Sequence, residues 1–327
     1  MKAVVYEEYG APTEVMALED VGVPAAGEGH VLVRVEATSA NPADWHLVRG
    51  EPRVVRLQIG VRRPKKRVLG GDVAGVVEAV GPGVTGWAAG DDVVGCPFDN
   101  GYGGFAEYAS VPAELLVPKP AGVSFAEAAV VPLAGLTALQ GLRDHGRLEA
   151  GQHVMIIGAS GGVGTMAVQI AASMGAEVTA VCSTRNLDLV RSLGADHVVD
   201  YTAEAVTDRP ERYDVVLQVA GQASPRECCR VLTREGTLVQ ISGDSDGRWV
   251  GPIWRLIAGK LVSPFVPQRI ASFVATPVRA DLEHLFALVE VGQLRPVIDR
   301  TYPLAEVPQA LEYLELGHTP GKVAITV

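Results

Sequence analysis

Two stretches of this chain combine residue types and spacings that imply chemistry. The first, "GASGGVG" at residues 158–164, follows the apolar run "HVMIIG" and opens "GGVGTMAVQIAASMG", which has helical character. In a strand–turn–helix unit, glycines at these spacings let backbone N–H groups approach a pyrophosphate, and the helix N-terminus adds partial positive charge. Ala159, Gly161 and Gly164 take the three fingerprint positions, with alanine at the first, so Ser160, Gly161, Gly162, Val163 and Gly164 form a candidate phosphate cradle. The second stretch, "AVCSTRN" at 180–186, ends the next strand, where this type of fold normally places an Asp or Glu on the ribose hydroxyls. Cys182 stands there instead. Beside it, Ser183, Thr184 and Arg185 offer two hydroxyl donors and a fixed cation, suited to a 2′-phosphate that a carboxylate would repel. NADPH is therefore expected over NADH. The competing reading makes Arg185 a solvated surface charge and Ser183 or Thr184 a helix cap.

The elements around these stretches define their setting. Up to about residue 120, short runs rich in Val, Ala and Tyr alternate with Gly and Pro turns, the punctuation of an all-β unit. "SFAEAAVVPLAGLTALQGL" then opens with Ser124 and Glu127 in capping-box spacing and is interrupted at Pro132. From residue 153, apolar strands alternate with helices, which implies a parallel, doubly wound sheet covered on both faces. The last 55 residues are expected to hold two helices and a closing strand, with Val307, Ala310, Leu311 and Leu314 on one helical face.

Composition narrows the function. A chain of 327 residues is long enough for two domains and a cleft between them. A net charge of -10 argues against nucleic acid as the main partner, because phosphate backbones are held by a basic footprint. No segment reaches 18 uninterrupted apolar residues and the N-terminus has no apolar signal region, so a cytoplasmic protein without a membrane span is expected. Cys96, Cys182, Cys228 and Cys229 have no disulfide-framework spacing and fit a reducing compartment.

Motifs along the whole length, "NPADWHLVRG", "LGGDVAGVVEAVGPGV", "GYGGFAEYA", "GLTAL", "GASGGVG", "SLGADHVVDY", "GTLV" and "GHTPGKVAITV", resemble the zinc-independent quinone oxidoreductase-like branch of the medium-chain dehydrogenase/reductase superfamily. The resemblance implies an α/β chain: a GroES-like β-barrel catalytic domain from residues 1–123 and 273–327, and a Rossmann NADPH-binding domain over 124–272. It further implies an active site in the cleft and a homodimer. Zinc-dependent relatives place a cysteine where Asn41 stands, Gly-His-Glu at Gly70, Gly71 and Asp72, and a third ligand near Leu133. None of those ligand types is present, and no metal is expected. Without zinc to stabilise an alkoxide, a quinone or α,β-unsaturated carbonyl is the expected hydride acceptor, since it delocalises the incoming charge. Enoyl-thioester reduction, zinc-free alcohol dehydrogenation and a non-catalytic NADPH-binding sensor or scaffold stay open.

The same resemblance assigns further residues. Asn41 would lie by the nicotinamide and substrate carbonyl, though Asn41, Pro42 and Asp44 also spell a helix start. His46 stands where some relatives have a tyrosine lining the site, making it a proton donor or a buried spectator. Thr137 would meet the nicotinamide carboxamide and Tyr201 the 2′-phosphate, while Ile241, Phe273 and Val274 complete the cofactor set. Gln218 departs from the family's frequent Asp. "RVVRLQIGVRRPKKR" at 53–67 holds seven Lys/Arg in fifteen positions, read as a solvated loop or a basic rim for anionic groups. "RWVGPIWRLIAGKLVSPF", with Trp249 and Trp254, reads as a domain-edge helix or substrate lid.

Overall fold

The computed structural model describes residues 1–241 and 251–327, apart from the side chains of 251–256. Trp249 and the Trp254 side chain therefore lie outside the described residues. The chain divides into two compact units, the first Met1–Leu133, Thr276–Glu290 and Pro296–Val327, the second Ala134–Ala275 and Val291–Arg295. The first division falls after Leu133 rather than before Ser124. Helix Phe125–Ala129 starts with the expected Ser124–Glu127 capping box, but buries Ala128 and Ala129 and packs on strands of the first unit.

The first unit is built around the long strand His30–Ala40. Along its length it pairs with Val73–Val80, Tyr108–Pro112 and Lys322–Thr326, with register shifts against Val73–Val80 at Leu32/Val33 and Val35/Ala37. Extra residues at such shifts bend and twist a strand, which lets one strand serve several neighbours. Asp92–Gly95, Leu116–Pro118 and the parallel strand Ile298–Pro303 complete a seven-stranded sheet. That last strand departs from the expected single closing strand: "IDRTYP" is half-exposed throughout and lacks an apolar run. Both chain ends meet in one core, where Val4 and Tyr6 pack with Val307, Ala310, Leu311, Val323 and Ile325. Helix Val307–Glu315 buries the face expected from its spacing.

Among its described residues the second unit holds six parallel strands, numbered here within the unit: β1 (His153–Ile157), β2 (Glu177–Cys182), β3 (His197–Asp200), β4 (Tyr213–Gln218), β5 (Leu232–Ile241) and β6 (Arg269–Phe273). Their spatial order is β3-β2-β1-β4-β5-β6, the doubly wound order with its switch point between β1 and β4. Ligands of such sheets bind beyond the carboxyl ends of the strands at that crevice. Val291–Arg295 joins this unit through Gln169, which donates to Arg295 O (3.0 Å) and accepts the Arg295 N–H (2.8 Å). Among the described residues no helix is long and apolar enough to cross a membrane.

Candidate active site

In the second unit, the glycine loop separates three backbone demands. Gly158 has φ +87°, and a Cβ there would stand 2.7 Å from Ala220 Cβ, so the left-handed turn falls here and not at Ala159. At Gly164 a Cβ would lie 2.1 Å from Gly158 O, so the helix could not pack on the loop with any side chain present. Gly161 is different. It is the N-cap of helix Gly162–Ser173 with φ −78° and ψ 179°, which any residue can adopt, and a Cβ would come no closer than 3.7 Å to another atom. The protein's own packing does not require glycine there. The position borders helix-terminal N–H groups that have no intrahelical acceptor, so the residues present fit a dinucleotide pyrophosphate.

Ser160, Ser183 and Asn186 are brought together, with Asn186 Nδ2 donating to Ser160 Oγ at 3.0 Å and to Ser183 Oγ at 3.5 Å. Arg185 is exposed at the end of β2, and Tyr201, 52% exposed, follows β3, its N–H bonded to Cys182 O at 3.2 Å. Thr184 does not supply the donor expected of it. Its hydroxyl donates to Asp200 Oδ2 at 2.5 Å, while Thr202 donates its N–H and hydroxyl to Oδ1. These hydrogen bonds hold the Asp200 carboxyl below its ordinary range. Burial pushes the Cys182 thiol up to about 11, so this cysteine is an apolar spacer and not a thiolate. Thr137 is buried in helix Pro132–Gln140. Ile241 pairs in register with Phe273, whose ring stacks on His145 at 4.1 Å, and Val274 is exposed. Gln218 is buried, donating to Ala223 O (2.8 Å) and accepting from Gln240 Nε2 (2.9 Å), a neutral pair where an aspartate would place a charge.

A groove of about 540 Å³ lined by Arg147, Asp214, Arg234 and Arg269 lies at the amino ends of these strands, the wrong side of the sheet for the cofactor.

The first unit holds a buried polar centre that motif reading did not assemble. Asp72 is fully buried: Oδ2 accepts from Ser39 Oγ (2.5 Å) and Asn41 Nδ2 (2.8 Å), and Oδ1 from Leu133 N (2.8 Å). Lys322, 4% exposed, donates from Nζ to Asn41 Oδ1 (2.5 Å) and Ala40 O (3.0 Å). Burial lowers its pKa, opposed by the charges of Asp72 and Asp44. Asn41 starts helix Pro42–Arg49 as expected, with Asp44 Oδ2 accepting its N–H at 2.9 Å. Its amide, however, is held by Asp72 and Lys322, and only one Nδ2 hydrogen is left to long contacts with Ser39 (3.4–3.5 Å). Lys322 opens strand Lys322–Thr326, and a lysine at that place carries no local sign of burial.

His46 does not fit a proton donor. Its Nδ1 pairs with Glu51 O at 3.2 Å, which requires a proton on Nδ1 and leaves Nε2 of the neutral ring an acceptor. Burial lowers its pKa to about 4 from 6.5, so the ring is neutral near pH 7. Asp44 moves oppositely: burial, reinforced by Asp72, raises it from 3.8 to about 7 against the Asn41 N–H. A raised carboxyl adds stability below its unfolded pKa that is lost as pH climbs to about 7, about 4 kcal/mol in all. A depressed histidine adds stability above its unfolded pKa that is lost as pH falls to about 4, about 3 kcal/mol. The two slopes offset each other between about pH 4 and 6.5. Asp44→Asn removes one of them, so urea denaturation should show the variant losing stability as pH drops through that window while the parent stays nearly flat. Parallel pH profiles for the two proteins would contradict this.

Comparison with known proteins places these two units. Residues 27–121 match the family model for an alcohol dehydrogenase GroES-like domain, and residues 193–325 that for a zinc-binding dehydrogenase. The chain is 33% identical over 334 residues to a chloroplast envelope quinone oxidoreductase homolog of Arabidopsis thaliana, covering 99% of this chain and 98% of that protein. It belongs to the quinone oxidoreductase-like branch of the medium-chain dehydrogenase/reductase superfamily. A second member of the superfamily, the NADPH-dependent alkenal/one oxidoreductase of Arabidopsis thaliana chloroplasts, is 34% identical over 99% of this chain and 79% of its own length. The solved quinone oxidoreductase of Coxiella burnetii superposes with a TM-score of 0.86 at 29% identity, over 100% of this chain and 99% of that one. Asn41 and Asp72, two of the positions compared above with zinc ligands, are bonded to each other, and Lys322 is bonded to Asn41. Among the described residues no group of three His, Cys, Asp or Glu is placed to hold a metal ion.

Proposed function

We propose that this chain is an NADPH-dependent oxidoreductase that passes hydride to a quinone or an α,β-unsaturated carbonyl without zinc. The observation that carries the reading is the open cradle at Gly161, joined through Ser160 and Asn186 to a β2 end that bears Ser183 and Arg185 and no carboxylate at Cys182. The names of the two Arabidopsis relatives support the same cofactor and acceptor class. When bound, the cofactor supplies a hydride. Gly161 to Gly164 would hold its pyrophosphate, and Ser183, Arg185 and Tyr201 its 2′-phosphate.

Acceptor choice follows from the first unit. A simple ketone would develop alkoxide charge needing a Lewis acid, whereas a conjugated acceptor spreads the charge and can be served by hydrogen-bond donors. The polar centre already contains the buried Lys322 amino group bonded to Asn41, which supports a metal-free reading. Asn41 retains one amide hydrogen without a short acceptor and is the proposed donor toward the substrate carbonyl. All four cysteines are buried free thiols, which supports a reducing compartment.

A panel of acceptors tests this. Quinones and enones should oxidise NADPH while saturated ketones and simple aldehydes do not; equal turnover of the saturated compounds would remove the argument from charge delocalisation. Arg185→Ala should raise the KM for NADPH about 10- to 100-fold, the loss of one charged hydrogen-bonding partner, and leave that for NADH within about twofold. Equal effects on both would contradict the phosphate assignment.

A further inference from the structure

Residues 53–66 of the first unit form a largely solvent-facing segment that the proposed reaction does not use. It comprises the turn Arg53–Val55, the short helix Arg56–Ile59 and a following loop. Three aliphatic side chains of the segment face solvent: Val54 (44% exposed) and Leu57 (72%) before Gly60, where the helix ends, and Val61 (64%) just after it. Next to them Arg62, Arg63, Lys65 and Lys66 are exposed, and their side chains make no hydrogen bond or ion pair among the described residues. No Asp or Glu occurs from residue 52 to 71, although the chain as a whole carries a net charge of -10.

The base of this segment is firmly tied. Arg56 donates to Gly50 O (2.8 Å) and Arg49 O (3.0 Å) and lies 4.3 Å over the Tyr9 ring, and Tyr9 donates its hydroxyl to Gly60 O at 2.6 Å. Lys65 N bonds Ile59 O at 2.8 Å, and Arg67 pairs with Glu7 at 2.5 Å. The fold thus fixes the base of a segment whose aliphatic residues remain wet and whose four cationic side chains make no ion pair among the described residues. A loop serving only to connect strands has no need of either feature.

We propose that this segment docks on an anionic bilayer surface. Val54, Leu57 and Val61 enter the boundary between headgroups and acyl chains, and Arg62, Arg63, Lys65 and Lys66 meet lipid phosphates. The aliphatic character decides between polyanions. A nucleic acid would engage the cations but leave three aliphatic side chains in water, since bases stack on aromatic or guanidinium planes. An acyl layer accepts all three. Docking requires no membrane-spanning helix, and because the base of the segment is fixed, little conformational entropy is lost on binding. It would hold an enzyme for lipophilic acceptors where they concentrate; that clause alone rests on the proposed function.

Co-sedimentation with vesicles of phosphatidylcholine alone, or with one third phosphatidylglycerol, tests the proposal on the full chain. Binding is expected to the anionic vesicles only and to weaken as salt rises. Lys65→Ser with Lys66→Ser should lower partitioning about 30-fold, about fivefold per cation. Leu57→Ser with Val61→Ser should lower it about tenfold. Both variants should keep the parent's NADPH affinity, which reports an intact second unit independently of vesicle binding. Equal binding to neutral and anionic vesicles, binding to neither, or variants that partition like the parent would overturn the proposal. So would retention by single-stranded RNA or an acidic polypeptide in place of the vesicles.

Discussion

Gly161→Ala is expected to fold as stably as the parent and to lose NADPH affinity about a hundredfold. The backbone at 161 is extended, and the added methyl would meet nothing nearer than 3.7 Å, so stability should change by less than about 1 kcal/mol. What the methyl would occupy is the cradle itself, holding a phosphate away from the helix-terminal N–H groups; loss of one or two charge-assisted hydrogen bonds gives the hundredfold figure. Gly164→Ala supplies the contrast, because its methyl would lie 2.1 Å from Gly158 O and 2.6 Å from Ala159 C. Backbone must move to relieve that, at the upper end of about 1–3 kcal/mol. Thermal unfolding and NADPH titration of both variants check the pair. If Gly161→Ala binds NADPH like the parent, the cofactor does not sit on this loop.

Lys322→Met is expected to destabilise the protein by about 3–5 kcal/mol, the usual cost of removing one partner from a buried charged network. The ammonium gives Asn41 Oδ1 and Ala40 O their donor and offsets the charges of Asp72 and Asp44. Methionine has a similar length but no donor, and would leave a carboxylate with three hydrogen bonds and no counter-charge. Asp72→Asn alone should also be costly, since an amide NH₂ would face at least one of the donors Ser39, Asn41 or Leu133 N–H. Combining the two substitutions removes both charges, so the double variant should be more stable than the sum of the single losses implies. Urea denaturation of all four proteins measures this coupling. Strict additivity would mean that Lys322 and Asp72 do not form one unit.

What could be read from residues alone divides along physical lines. The doubly wound unit was legible because its signals are local: apolar runs separated by helical stretches, and glycines at fixed offsets. Even there, the need for glycine at Gly158 is not local, because a Cβ at that left-handed position would meet Ala220, more than sixty residues away. Thr184 was misread for a similar reason. Its offset from the strand end suggested a phosphate donor, while its hydroxyl is taken by Asp200 on the neighbouring strand. The polar centre of the first unit was least legible. Lys322 meets Asn41 across 281 residues, and a lysine opening a strand gives no hint of burial until both chain ends share one core. The tyrosine-like place of His46 suggested acid chemistry, and only the Glu51 carbonyl on Nδ1 assigns the ring its other role.

The most direct test of the account is the oxidation of NADPH and of NADH by the same quinone, using protein treated with a strong metal chelator. The account predicts full NADPH turnover after chelation and a much lower kcat/KM with NADH. Turnover that vanishes with the chelator and returns with zinc would contradict it, as would equal use of the two reductants.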